Sequence, residues 1–250
     1  MVEQQVVRIH MQDRPGALSQ ICLALASHDV NIVHLDVVST GEGTVVDDLV
    51  LEGKAPGDIA RAVKSFLAGI SVASLPGEPS EPLMEFGAAI ARMGASPDQN
   101  SALDEMARGA GRFLRADQAL VLRLKPETGR LISPVAGLPD IDGGEPFAGR
   151  ALLSPPMAAT FPGESDWAPV AFRAALGAAQ VALAPAASLG IIVLSRHANI
   201  PFAPGELKRL ALYAAAGAAL LSSSHEKIAT PMIMSDRLPD SAITEPVASA

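Results

Sequence analysis

Cysteine is nearly missing from this chain. Cys22 stands alone among 250 residues, which excludes an internal disulfide and any paired-thiol motif. Aromatic residues make up only 4% against 49% apolar residues overall, so the cores must be built from Ala, Val, Leu and Ile. Basic residues are also scarce. Nineteen Lys and Arg face 27 Asp and Glu, the net charge is −8, and no Lys/Arg cluster occurs, which argues against a nucleic-acid surface. No apolar stretch approaches about 18 residues without a polar break, and residues 1–5 lack the basic and apolar regions of a secretion signal. A cytoplasmic protein without a membrane span is therefore expected. Catalytic signatures are missing too: there is no GxSxG elbow, phosphate loop, dinucleotide fingerprint or HExxH. No histidine, acid and nucleophile are placed together, so neither catalysis nor a cofactor is expected. His28 and His34 fall on different elements without a third ligand at metal spacing, and Asp140, Asp142 and Glu145 read as a solvated turn.

What is present is organised around Asp13-Arg14-Pro15-Gly16-Ala17-Leu18, a junction between a strand and a helix. Residues 6–11 alternate apolar and polar side chains, as a strand with one face on a core does. Leu18, Ile21, Cys22 and Leu25 recur at helical spacing and predict the buried stripe of the following helix, with Cys22 an inert core thiol. At the junction Asp13 is a candidate cap, Pro15 presets φ for the first turn, and Gly16 admits a close neighbour or ligand. A helix N-terminus of this kind presents unpaired amides and a positive dipole end, which suits a small carboxylate.

After a helix end expected near Asp29, residues 31–39 and 44–51 read as a β-hairpin around Thr40-Gly41-Glu42-Gly43. The acid pair Asp47-Asp48 is expected on a solvent face or at an edge. A second helix is predicted over residues 56–66 and a last short strand over 70–75. The order strand, helix, strand, strand, helix, strand is that of a ferredoxin-like βαββαβ unit. Together with Val30-Asn31-Ile32 opening the second strand, the junction motif resembles the ACT domain, a regulatory module that senses amino acids. That resemblance implies a homodimer with sheets continued side by side, and an amino acid held between one chain's first loop and its neighbour. It places Asp13 and Gly16 at the ligand-facing loop, Asn31 where a polar side chain hydrogen-bonds the ligand, and Met11 and Gln12 beside the pocket. His10 precedes it on either face of the sheet. Each residue also has a plainer role open to it: Gly16 in helix–strand packing, Asp13 as a cap, Asn31 in a left-handed turn.

Residues 76–82 are rich in proline and polar side chains and read as a linker, dividing the chain into an ACT-like domain at 1–76, a linker at 77–82 and a second domain at 83–224. In the latter, helices are predicted over residues 83–93 and from Ser101, the second with Leu103, Met106, Ala110, Phe113 and Leu114 on its stripe. Strands are predicted over 119–124, 131–137, 179–184 and 189–195, short helices over 146–153, 157–160 and 171–176, and a long final helix from Pro204-Gly205-Glu206. Trp167-Ala168-Pro169, Val181-Ala182-Leu183-Ala184-Pro185, Leu189-Gly190-Ile191-Ile192-Val193-Leu194 and Phe202-Ala203-Pro204-Gly205-Glu206 give this half a layout similar to a GAF domain. The resemblance implies a small-molecule sensor with a central antiparallel sheet, helices behind it and a loop-covered pocket, for which Phe147, Phe161 and Trp167 are candidate walls. With no cysteine in this half, thioether attachment of a bilin is excluded. Residues 225–250, with three prolines and no apolar periodicity, are expected to be a disordered tail.

The whole is thus expected to be an α+β, non-catalytic sensor taking an amino acid or other small-molecule effector, with a regulated protein partner. The alternative is a structural or adaptor protein whose domains only pair.

Overall fold

A computed structural model describes residues 3–41, 43–53, 70–76, 81–123, 158–166, 168–197 and 200–229. The described residues form two four-stranded antiparallel sheets, each with helices, in an α+β arrangement. The first sheet contains β1 (Glu3–Gln12), β2 (Asn31–Gly41), β3 (Thr44–Gly53) and β4 (Ser71–Ser74) in the order β2-β3-β1-β4. Helix α1 (Ala17–Ala26) lies between β1 and β2. The predicted helix at 56–66 falls outside the described residues.

The faces of this sheet follow from its register. Opposed residues share a face, and Val7, Ile9 and Met11 on β1 pack with Val45, Leu49 and Leu51 on β3 under Ala17, Ile21 and Leu25 of α1. The buried side of α1 is Ala17, Ile21, Ala24 and Leu25, whereas Cys22 and Leu18 are exposed. The expected stripe therefore keeps Ile21 and Leu25 but is turned from Leu18 and Cys22 toward Ala17 and Ala24. Leu18, Cys22 and Leu23 are apolar as well, so hydrophobic spacing alone leaves the phase of this helix open. The helix ends at a Ser27 cap, and Asp29, with φ 56°, takes the left-handed turn considered for Asn31.

Downstream, α2 (Pro82–Gly94) and α3 (Gln99–Phe113) form a helical pair. The second starts two residues before Ser101, because Asp98 caps it by accepting from the Ser101 amide at 2.9 Å. The second sheet runs β5-β8-β7-β6, with β5 (Gln118–Leu122), β6 (Ala159–Pro162), β7 (Gln180–Pro185) and β8 (Ile191–Arg196). Its helical cover on one side is α2, α3 and α5 (Pro204–Ala229), with Met93, Met106, Phe113 and Tyr213 in a shared core and the Tyr213 hydroxyl donating to the Met106 carbonyl. On the other side α4 (Val170–Leu176) buries Phe172 and Leu176 against Val181, Leu183 and Val193.

Two expectations change here, and two others lie outside the described residues. Residues 159–162, expected in part as helix, form a strand, because Ala159–Pro162 pair with β7 and the Thr160 hydroxyl donates to the Val181 carbonyl. The partner of β5 is β8; the predicted partner at 131–137 and the short helix at 146–153 lie outside the described residues. The final helix continues to Ala229, five residues into the expected tail, and residues 230–250 are outside the description.

Candidate functional site

The junction loop stands at one end of the first sheet. Gln12 ends β1 opposite Thr44, and the Asp13 amide donates to the Gly43 carbonyl at 2.8 Å, tying the loop to the hairpin turn. Asp13 is exposed and caps nothing; Gly16 occupies the N-cap of α1 with φ 84° and no side-chain hydrogen bond closes that end. The Ala17 amide donates to the Arg14 carbonyl at 3.1 Å, and no side chain caps the Leu18 and Ser19 amides that follow; a Cβ added to Gly16 would have no neighbour within 4 Å, although the backbone itself disfavours any other residue. Pro15 consequently precedes the cap instead of entering the first turn. Met11, expected beside the pocket, is 5% exposed and belongs to the core under α1.

Asn31 lies elsewhere. It is exposed and opposite Glu52, whereas Gln12 is opposite Thr44, eight positions away along β3 (52 minus 44). At about 3.4 Å per residue this is a separation of roughly 27 Å within one chain. The predicted pair of loop and asparagine is therefore not assembled in a single chain.

The largest surprise concerns the acid pair. Asp47 and Asp48 are 3% and 7% exposed, on a central strand, where a solvent face or an edge was expected. The reason is that both faces of the sheet are covered: α1 covers one, and the second half of the chain covers the other. On that second face β2, β3 and β1 present Asp36, Asp48 and Arg8 in register. The first turn of α5 meets this row. Arg8 grips Asp48 with Nε at 2.8 Å and Nη2 at 2.9 Å, and reaches Glu206 with Nη1 at 2.6 Å and Nη2 at 2.9 Å. Arg196 approaches the same Glu206 from β8, with Nη2 at 2.5 Å, while donating to the carbonyls of Leu114 and Arg115 and lying 4.0 Å over the Phe202 ring.

Sequence chemistry explains why Glu206 sits there. It is the third residue of α5 after Pro204, and its Oε2 accepts from the Ala203 amide at 2.8 Å, the reciprocal half of a capping box. Gly205 allows the approach, since a Cβ there would overlap the Val38 carbonyl on β2. Three residues on, Arg209 holds Asp36 through both nitrogens. Apolar contacts flank the charges, Ile200 against Val6, Val50 and Leu75, and Ala203 against Val38 and Val46.

The titration behaviour matches this pairing. Burial works against the Glu206 carboxylate, but Arg196 and Arg8 outweigh it and hold the group below the ordinary carboxylate range. His10, on the same face, is pushed down by burial and then by Arg8. Asp47 behaves oppositely. It points to the α1 side, and burial, then the charges of Asp48, Asp36 and Asp13, push its carboxyl up. Its Oδ1 has no hydrogen-bond partner among the described residues.

Of the candidate aromatics in the second half, Phe161 is half-buried on β6 against the cluster of Leu122, Phe172 and Val193, while Phe147 and Trp167 lie outside the described residues. A cavity of about 390 Å³ opens where β2, α2 and α5 meet, lined by His34, Asp36, Leu83, Phe86, Arg209 and Leu212. Its one strong polar pair, Asp36 with Arg209, is already satisfied. Among the described residues no group of three His, Cys, Asp or Glu could hold a metal ion, and no helix is long and apolar enough to cross a membrane.

The only signals for the interdomain cluster in sequence were an Arg inside an alternating strand and a Glu at the third helix position. Neither names its partner 198 residues away.

Comparison with known proteins bears on the first half. Residues 5–68 match the ACT domain family model. No curated protein matches the chain. Among solved structures, a protein of unknown function from Galdieria sulphuraria is 19% identical with a TM-score of 0.28, covering 38% of this chain and 66% of its own. The ACT domain from GTP pyrophosphokinase of Chlorobium tepidum is 18% identical with a TM-score of 0.27, over 32% of this chain and 93% of its own. The chromophore-binding domain of a bacteriophytochrome from R. palustris aligns over 86% of this chain and 81% of its own, at 13% identity and a TM-score of 0.45. The family match thus falls on the βαββ segment that presents the junction loop, and there the chain is similar to an ACT domain.

Proposed function

We propose that this chain is a non-catalytic regulatory protein that takes an amino acid at the loop between β1 and α1 and relays its occupancy to the second, GAF-like half. The ACT match over residues 5–68 supports a small-molecule effector. The observation that carries the relay is the buried contact of Arg8 with Glu206, which ties the sheet bearing the loop to the first turn of α5. A ligand can bias that arrangement only through different affinity for two states, and a sealed charge cluster is an element with few alternative packings.

The site would be completed by a second copy. β2 is an edge strand, so a two-fold antiparallel pairing of β2 with its equivalent sets Asn31 beside the neighbour's Gly41 end. That end is two strands from Gln12 and its loop, about 10 Å. A homodimer would thus assemble what one chain holds apart. The GAF-like half offers the α4-covered sheet face, with Phe161 and, as further candidates, Phe147 and Trp167, for a second ligand. A cytoplasmic setting and a regulated protein partner complete this reading.

One observation favours a second reading, an adaptor that only pairs: Val33 and Val37 on edge strand β2 are 48% and 49% exposed. A thermal-shift screen of the twenty amino acids on wild type and Asn31→Ala, with sizing chromatography, separates the two. A ligand at one hundred times its dissociation constant stabilises by about 2.7 kcal/mol. A shift in wild type alone supports the sensor; a dimer that responds to no amino acid supports the adaptor.

A further inference from the structure

The cavity of about 390 Å³ between the two halves is used neither by the junction loop nor by the α4-covered sheet face. We propose that it takes a small organic ammonium ion with a compact apolar body, such as an arylalkylamine, its body between α2 and α5 and its charge toward β2. The site is separate from the loop between β1 and α1. His34 is opposite Val50, six positions along β3 from the Thr44 that faces Gln12 (50 minus 44), a distance of about 20 Å, and it shares the face of Asp36 and Asp48.

The walls come from both halves. β2 supplies His34 and Asp36, α2 supplies Leu83 and Phe86, and α5 supplies Arg209 and Leu212. The volume falls in the range of small-molecule pockets, about 300–1,000 Å³. Phe86 and Phe113, in edge-to-face contact with ring centroids 5.6 Å apart, make one side rigid and aromatic. Leu83 and Leu212 are 80% and 64% exposed. Two large apolar side chains left in water on different helices, both bordering one opening, suit an apolar partner, and the enclosed volume limits that partner to a small molecule.

The charged groups select its head. Arg209 spends Nη1 and Nη2 on Asp36, at 2.5 and 2.9 Å, and Nη2 also reaches the Val37 carbonyl. Glu81, also in the lining, gives α2 no side-chain cap. Two carboxylates against one guanidinium leave the lining with an excess of negative charge. An ammonium ion is attracted there, and a carboxylate on the same body is repelled.

Occupancy is tied to the docking of the halves. Asp36 is opposite Asp48 in the row that Arg8 and Glu206 close, and Arg209 follows Glu206 on the same helix. The cavity exists only where β2 meets α2 and α5, so a ligand that fills it binds the docked arrangement and stabilises it.

The test is methyl NMR titration of the full chain with phenethylamine, phenylethanol and hydrocinnamate, which share one body and carry an ammonium, a hydroxyl and a carboxylate. The amine should shift the methyl signals of Leu83 and Leu212 and leave Leu176, on the α4 face, unmoved. Attraction of one head and repulsion of the other at a partly exposed site should favour the amine over the acid by about ten-fold. That gap should narrow as salt is raised. Leu212→Trp, at an exposed position, should fill the cavity and remove the Leu83 shift, and Glu81→Gln should reduce the amine's advantage over the acid. Equal binding of amine and acid by wild type overturns the inference, as do shifts confined to Leu176 or no shift with any probe at millimolar concentration. Shifts at Leu83 and Leu212 that depend on protein concentration without a probe assign this face to a second copy and overturn it too. These wild-type measurements need no variant to fold. None of the probes is an amino acid, so their failure leaves the proposed function standing.

Discussion

The two faces of the first sheet handle buried charge in opposite ways. On the face toward the second half of the chain, Arg8, Asp48, Arg196 and Glu206 form a net-neutral set in which both guanidinium groups bond Glu206 and Arg8 also grips Asp48 with two nitrogens. On the α1 face Asp47 is as deeply buried, yet its Oδ1 is unpaired among the described residues. Adjacent acids on one strand thus have opposite fates. The difference teaches that equal burial does not imply equal satisfaction of a charge, because which face of the strand a residue takes decides what can pair with it.

The largest effect that would break this contrast is expected at Glu206. Glu206→Ala strands Arg8 and Arg196 without their shared acceptor and should cost about 3–5 kcal/mol in urea unfolding, with the two halves becoming separately cleavable by protease. A loss under about 1 kcal/mol would show that the cluster is not a close-packed unit. Next is Gly205→Ala, which forces a methyl group onto the Val38 backbone. It should cost about 1–3 kcal/mol through separation of α5 from β2. Chemical-shift changes at Asp36 and Arg209, with none at Asp98, would confirm where that strain falls.

Asp47→Asn sharpens the contrast from the other side. Removing an unpaired buried charge should raise the free protein's stability at neutral pH by about 1 kcal/mol, whereas Asp48→Asn should lower it. Two losses of equal size would erase the difference between the faces.

The pH effects are the smallest, and their signs differ. Glu206 has a folded-state pKa below its ordinary value, so its contribution is present above the ordinary carboxylate range and lost as pH falls through the lower value. Asp47 has a raised folded-state pKa, so its ionisation destabilises the fold progressively as pH rises from 3.8 through the folded value. His10 is depressed below 6.5, and stability should decline as pH falls from 6.5 toward its folded value. Unfolding midpoints across pH for wild type, Asp47→Asn and His10→Gln separate the three.

Much of this was readable from local chemistry. The alternation in residues 6–11 and 44–51, the glycine hairpin and the Pro204-Gly205-Glu206 start are local signals, and β1, β2, β3 and α5 stand where they point. The phase of α1 was not readable, because Leu18, Cys22 and Leu23 make that helix apolar on several sides and only the sheet beneath decides which side is buried. At the junction, the turn between β1 and α1 stands where the motif points, but Asp13 does not cap the helix and Met11 is buried in the core under it.

What the sequence by itself determined is the succession of elements, since turns and strand alternation depend on neighbours within a few residues. The tertiary structure alone decided that Asp48 and Glu206 are joined through Arg8, that Asp47 Oδ1 has no hydrogen-bond partner among the described residues, and that Asn31 stands at the far end of the sheet. Those outcomes depend on strand register and on docking between segments nearly 200 residues apart. Charge pairing there is a property of the closed interface, which excludes water and makes each unmatched group costly.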